Sequence, residues 1–377
     1  MADSAYKVLD ENDRVTTRTL LHEAIPITGT IVSGTYGQHP DEHNIKNFSH
    51  GMFQSVYDYP YLSSSANHIF DITVGVSTQS GLYATTNTQY KKKKNIYNQM
   101  AQVLVGYDKT GSILQFDADG DFVAGGRKIN DAIFLNFSRL LTKDEIKKES
   151  FEMTIGVDDA ALTPFLKQLK VFDMSASNEY RVNSPAGEYG ILYAKGVSSN
   201  VLNQDYFGYD STHEVIPCGL IYYQAGVAVL TSSLFLKDDS SAANFGISSE
   251  TADIDMDAYT SSTQKFDDML KTSEITASAD GIRHRIQNIQ FNNTTELNST
   301  VYFCRANHNE FNYSSNPTYL SGSKIRVKSE TTDVPVSYIT TVGLYNDRRE
   351  LLAVAKLSEP LKKTPDTEFT LRVRLDY

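Results

Sequence analysis

The chain has 377 residues and a formal charge of −11, from 35 Lys and Arg against 46 Asp and Glu. At ~150 residues per domain this length suggests two or three units, and 40 % hydrophobic with 21 % charged residues is a globular rather than a disordered composition. The acidic balance excludes the basic footprint of a dedicated nucleic-acid binder and argues against docking on an anionic lipid surface. The 23 Tyr and 18 Phe, with no Trp, favour half-buried pleated surfaces and lean the chain toward β structure. Cys218 and Cys304 are too few for a disulfide framework and match no metal spacing, so they read as free buried thiols. Met1–Asn12 is polar and acidic, unlike a signal peptide. No run approaches the ~20 apolar residues of a membrane span. A reducing cytosol is therefore the expected site of synthesis, and the sequons at Asn47, Asn136, Asn292 and Asn298 carry no glycosylation argument.

Residues 1–60 show little periodicity and are broken by Gly29, Gly34, Gly37 and Pro40, so they read as an extended arm. The arm ends on clustered aromatics, Phe53, Tyr57, Tyr59 and Tyr61. A central β-rich domain with short helices is expected over 61–236. Phe70, Ile72, Val74 and Val76 alternate as in a strand with one buried face. Ile96, Met100 and Leu104 line one face of a helix over Gln89–Val105. Lys91–Lys94 in its first turns oppose the macrodipole and read as a solvated face in preference to a contact for an acidic partner or nucleic acid. Strands joined by a hairpin at Asp117–Gly126 are expected over 113–137. A short helix over Thr142–Lys148 follows, opened by the capping box Thr142/Glu145. Residues 151–157 alternate again, and 219–236 form a hairpin turning at Gln224–Gly226. An acidic polar insertion or linker covers 237–280, with one amphipathic helix carrying Phe266, Met269 and Leu270. Within 281–377 the segments 284–291 and 299–305 are expected to pair across Asn292–Asn298, and 336–345, 351–357 and 369–375 to be strands. The last of these runs on toward Tyr377, which makes a structural chain end the expectation. The expected fold is mainly β with a few short helices, a β-rich α+β chain ending in an antiparallel β-sandwich-like unit.

Chemistry-bearing patterns are sparse. Asp117, Asp119 and Asp121 alternate as in the start of a calcium loop. Such a loop needs Gly at its sixth position and Glu at its twelfth, where this chain has Phe122 and Lys128. A turn rich in Asp and Gly explains the pattern better. Asp253, Asp255 and Asp257 read the same way. His39, His43 and His50 lack a helix that would present them together, because Pro40 interrupts it. No nucleophile elbow, Cys signature or Walker spacing is present. No catalytic residue, metal or cofactor is expected, and the chain reads as a non-enzyme.

Four segments carry a family likeness: Phe311-Asn-Tyr-Ser-Ser-Asn-Pro-Thr-Tyr319, Ser337–Asn346, Leu351–Pro360 and the terminal Leu371–Tyr377. With Asn136–Lys148 and Ile96–Leu104, they resemble structural proteins of contractile-tailed marine and cyanobacterial bacteriophages, of the tail and baseplate region. The likeness runs from about residue 45 onward. It implies a virion structural protein in the tail, baseplate or neck, made in the host cytoplasm, with copies of itself and neighbouring tail proteins as partners, neither nucleic acid nor membrane among them, and homo-oligomer symmetry in the particle. Phe311, Tyr313, Asn316, Pro317 and Tyr319 form a segment too polar for a core and too aromatic for idle surface. Together with Tyr57, Tyr59 and Tyr61 they are the interface candidates; closure of the sandwich end by the same rings is the competing account. A fibre or adhesin binding a host-surface glycan is the alternative function, and a wall- or capsule-degrading enzyme a distant third.

Overall fold

The computed structural model describes residues 6–28, 42–82, 87–123, 125, 127–138, 141, 145–158, 163–174, 176–197, 202, 208–235, 265–314, 316–328 and 330–376, with the backbone alone for 20–28, 176–177 and 296. The chain is mainly β with short helices, as expected. It divides into two units, His22–Thr295 and Met1–Leu21 with Glu296–Tyr377.

The larger unit is an antiparallel sheet. Its strands in chain order are β2 (Ile45–Asn47), β3 (Gln54–Tyr57), β4 (His68–Val76), β5 (Asp131–Asn136), β6 (Glu145–Ile146), β7 (Glu152–Gly156), β8 (Gln168–Phe172), β9 (Arg181–Ser184), β10 (Gly187–Gly196), β11 (Val215–Tyr222) and β12 (Val227–Thr231). They follow β1 (Arg14–Thr28) and precede β13 (Ile286–Ala306). The spatial order runs from the first half of β13 through β7, β8, β10, β11, β12, β5, β4 and β3 to β2. The predicted alternation is real: Phe151, Met153, Ile155 and Val157 are all buried. β12 is buried at every position, because both of its faces are covered.

One helix against this sheet is α1 (Thr88–Leu104), capped by Asn87, whose side chain accepts from the Gln89 N–H. It lies so close to β4 that a Cβ on Gly75 would meet Tyr97 Cα at 3.0 Å and the Phe134 ring at 2.9 Å. After α2 (Ala176–Glu179) come α3 (Phe266–Thr272) and α4 (Ile275–Arg283). Phe266, Met269 and Leu270 are buried as predicted. Lys93 departs from the expected solvated face. It is fully buried, and its ammonium donates to Met269 O (2.9 Å), Leu270 O (2.9 Å) and Ser273 O (3.0 Å). A cation thus sits on the carbonyls at the C-terminal end of α3, the sign a helix C-terminus favours.

Other sequence expectations shift. Arg14–Thr28, Ile45–Asn47 and Gln54–Tyr57 are paired strands, although the sequence reads 1–60 as an arm. Glu145–Ile146 is a strand pairing with Asn293 and Thr294, although the capping pattern predicts a helix there; residues 142–144 lie outside the described residues. No hairpin forms across Asn292–Asn298, since β13 is one strand of 21 residues. Most of the acidic insertion, including Asp253, Asp255 and Asp257, lies outside the described residues, as do His39 and Tyr377.

The smaller unit is built from both ends of the numbering. The second half of β13 pairs with β18 (Phe369–Asp376), from Ser299↔Asp376 to Ala306↔Phe369. β1 pairs with β13, and Thr16 Oγ1 meets Thr300 Oγ1 at 3.1 Å. β14 (Leu320–Ser321) and β15 (Lys324–Ile325) form a small hairpin, and β16 (Ser337–Tyr345) and β17 (Leu351–Lys363) a long one. The sequence suggests a sandwich here, but β16 and β17 make a two-stranded ribbon of their own.

Candidate interaction surface

The ribbon is held at its base by polar contacts. The buried Lys363 ammonium donates to His308 O (3.1 Å), Asn312 Oδ1 (2.7 Å) and Thr364 O (2.9 Å), and Ser337 Oγ donates to Phe311 O. At the other end Tyr6 meets Tyr345 edge-on at 5.1 Å, with the Arg349 guanidinium 5.6 Å from the Tyr6 ring. The ribbon between these anchors is apolar and open. Tyr338, Leu351, Leu352 and Val354 are each more than half exposed. The buried hydrophobic residues described in the smaller unit are Val301, Ala306 and Val373, while the contiguous apolar core runs from Ile45 to Phe291 in the larger one. Three small buried side chains do not offset the ordering of some hundred residues, and a lone two-stranded hairpin is marginal in water. The smaller unit also holds 14 Lys and Arg against 14 Asp and Glu, so the −11 resides in the larger. A neutral, apolar, underfilled unit is one that gains by being covered.

The predicted interface residues fall into two groups. Phe311 and Tyr313 are 40 % and 49 % exposed, Asn316 caps a one-turn helix over Pro317–Tyr319 by accepting from the Thr318 N–H (3.1 Å), and Tyr319 is half-buried. These belong to the smaller unit. Tyr57, Tyr59 and Tyr61 belong to the larger: Tyr57 packs edge-on against His68 at 5.4 Å and lies 6.3 Å from Tyr61, while Tyr59 is half exposed. The exposed ribbon residues were not singled out by sequence. Their alternation reads as a strand with one face in a core; among the described residues β16 and β17 pair only with each other, so one face of the ribbon is exposed and the other only half-buried.

In the larger unit, arrangements that resemble chemistry resolve into structure. Ser55 Oγ donates to Asp71 Oδ1 (2.5 Å), and His68 Nε2 bonds the same oxygen at 2.7 Å. The carboxylate stands in the middle, whereas a hydroxyl nucleophile needs the imidazole beside it. A cavity of about 420 Å³ is lined by Lys147–Ser150 and Gln290–Asn292. Beside it, the Lys148 ammonium is held by Glu188 (2.5 Å) and Glu145 (3.7 Å) and lies over the Tyr180 and Tyr223 rings. The turn at 147–150 is fixed by buried Asp173, whose oxygens accept from the Glu149 N–H (2.7 Å), the Phe151 N–H (3.0 Å) and the Tyr223 hydroxyl (3.3 Å). Glu149 sits at φ 63°, a conformation few non-glycine residues adopt.

Burial pushes the Asp173 carboxyl up to about 7, against the pull of its donors. A carboxyl that binds its proton more tightly folded than unfolded loses stability as pH rises from about 4 through that value. Asp173→Asn is expected to remove this slope. It also turns an amide N–H toward a backbone donor, costing roughly 1–3 kcal/mol. Urea unfolding of both proteins at pH 5 and pH 7 reads both effects.

Arg283, Arg285 and Lys93 in the larger unit, like Lys363 in the smaller, are buried cations that sequence reading missed. The basic residue types were visible, but nothing local separates an arginine that reaches a buried acid from one that reaches water. Both cysteines are free, Cys218 buried and Cys304 half-buried. No helix among the described residues is long and apolar enough to cross a membrane. No protein-family model matches the chain, and neither curated proteins nor solved structures give a match.

Proposed function

We infer that the chain is a non-enzymatic structural protein of a tailed-phage particle, working in the tail, baseplate or neck region. Its smaller unit is the part that meets copies of the chain and neighbouring subunits. The observation that carries this reading is the smaller unit itself, with an open apolar ribbon and almost no buried apolar side chains of its own. The likeness of Phe311–Tyr319, Ser337–Asn346 and Leu351–Pro360 to phage structural proteins supports the same role, as does the neutrality of that unit. Assembly then supplies the burial that folding leaves undone, with aromatic and leucine anchors at the centre of the contact.

The test is incorporation. Proteomics of purified particles of the encoding phage should find the chain at a copy number matching a symmetric ring or array, and absence from purified particles would sink the proposal. Leu352→Asp with Val354→Asp should leave the thermal midpoint of the isolated chain almost unchanged, because both side chains already face water. The same pair should reduce incorporation into particles by roughly tenfold or more, the effect of losing central anchors. Specific binding of the isolated chain on a glycan array, with wild-type incorporation of the double variant, would favour the adhesin instead.

A further inference from the structure

The Asp117–Lys128 loop holds a cation position that the sequence pattern by itself does not explain. Its arms are zipped by Ala118 N–H to Arg127 O (3.0 Å) and Ile129 N–H to Phe116 O (2.9 Å). Carboxylate oxygens of Asp117, Asp119 and Asp121 lie within 4.8 Å of one another. Asp119 Oδ1 accepts from the Asp121 N–H (3.3 Å) and Asp121 Oδ1 from the Val123 N–H (2.8 Å). From outside, Arg181 Nη1 donates to Asp119 O (2.7 Å) and the Tyr189 hydroxyl to Gly120 O (2.9 Å).

A twelve-residue calcium loop takes its ligands from positions 1, 3 and 5, from the backbone carbonyl of position 7, and from a bidentate Glu at position 12. Counted from Asp117, those places are Asp117, Asp119, Asp121, the Val123 carbonyl and Lys128. The Lys128 ammonium donates to Asp117 Oδ2 and to Val123 O, the groups that a metal ion would take from positions 1 and 7. Asp117 is fully buried, and its other oxygen, Oδ1, has no hydrogen-bond partner. A buried carboxylate oxygen with no donor marks a place where positive charge is needed.

We propose that the Lys128 ammonium is the resident cation of this loop, standing where a divalent metal would stand, and that removing it uncovers a calcium site. Six to eight oxygens would coordinate calcium, whereas an ammonium needs only three acceptors and brings its own tether. The wild-type loop therefore closes without metal, and the chain is indifferent to calcium and chelator. The inference is independent of the role in a particle.

The test uses the full chain, calcium chloride and EDTA, read by calorimetric titration and thermal melting. Wild type should show no saturable calcium binding and the same melting midpoint in either solution. Lys128→Glu should melt lower in EDTA, recover in calcium, and bind one equivalent with a dissociation constant on the order of 0.1 mM. Adding Asp119→Asn to that variant should abolish both calcium effects. Lys128→Gln, which removes the charge while keeping much of the length, covers the case in which the Glu variant does not fold. It should melt lower in EDTA and regain part of the loss in calcium. Saturable calcium binding by wild type that Asp119→Asn abolishes would overturn the proposal, and so would calcium indifference of both Lys128 variants.

Discussion

Arg283→Met is expected to lower the unfolding free energy of the larger unit by about 3–5 kcal/mol, the cost of removing one partner from a buried ion pair. Arg283 is fully buried at the end of α4. Its Nη1 donates to Glu42 Oε1 (3.2 Å), and its Nη2 donates to Glu42 Oε2 and to Asp280 Oδ1 (3.1 Å). His284 Nε2 meets Glu42 Oε1 at 3.0 Å, and Gln54 Nε2 donates to Asp280 Oδ1 at 2.7 Å. The side chains thus tie β3, α4 and the segment at residue 42 into one polar cluster. Methionine fills much of the arginine's volume but leaves two carboxylates facing apolar surface. Burial alone would raise the Glu42 carboxyl, yet the His284 hydrogen bond and the Arg283 charge hold it down at about 2. A carboxyl held below its unfolded value contributes stability above that value, and the contribution fades as pH falls from about 4.5 toward 2. Allowing for solvent screening, this is worth about 2 kcal/mol in wild type. Urea unfolding at pH 7 and pH 3 should therefore show a large gap between the two proteins at pH 7 and a smaller one at pH 3. An equal gap at both pH values would show that Glu42 is not the partner that matters.

Gly219→Ala should be nearly as damaging, at about 3 kcal/mol, the upper range of overpacking. Gly219 lies in β11 opposite Leu230 of β12. A Cβ there would stand 2.2 Å from the Val229 carbonyl oxygen and 3.1 Å from Leu230 Cα. These are backbone atoms of a paired strand and cannot rotate aside. Next to this position, the register between β10 and β11 shifts at Leu192/Tyr193, so the strand is already irregular where the methyl group would arrive. Gly81 is the control, because a Cβ there meets nothing. Gly81→Ala should change the unfolding free energy by less than about 1 kcal/mol and in the stabilising direction. Circular-dichroism melts of the three proteins decide the point, and equal midpoints for Gly219→Ala and wild type would refute it.

What the sequence disclosed was whatever its own neighbours determine. β4, β7 and β18 follow from alternating residues, and α1 from apolar residues spaced by four. The unit boundaries did not follow, because pairing partners lie far apart in the chain. Asn292–Asn298 looks like a turn, being polar and rich in Asn, yet β13 passes straight through it. The reason is that other segments satisfy its polar backbone at Asn292. The Ser150 hydroxyl donates to Asn292 O (3.4 Å), the Lys147 N–H donates to the same oxygen (2.8 Å), and the Asn292 N–H donates to Ser150 Oγ (3.0 Å). The helix expected at Thr142–Lys148 fails for the same cause, since Glu145 and Ile146 are taken into the sheet beside β13. Lys93 shows the reverse case, a lysine drawn inward by carbonyls about 180 positions away. For the candidate surface, the aromatic segment at 311–319 was legible as composition. The openness of the ribbon was not, because exposure depends on which strands fail to arrive.

The pairing of β1 with β13 sets a schedule for synthesis. The contact between Thr16 and Thr300 spans 284 positions. At ribosomal rates of roughly 5–20 residues per second, β1 emerges about 15–60 s before the strand that completes it. During that interval it is an unpaired edge, the kind of segment that chaperones hold and that aggregates when they do not. The ribbon and β18 come later still. A chain that stops between Thr295 and Phe369 has the larger unit's strands and helices but lacks β18, the partner of the second half of β13. By this timing the smaller unit, which needs β1, β13 and β18, closes only after the strands of the larger unit have been translated.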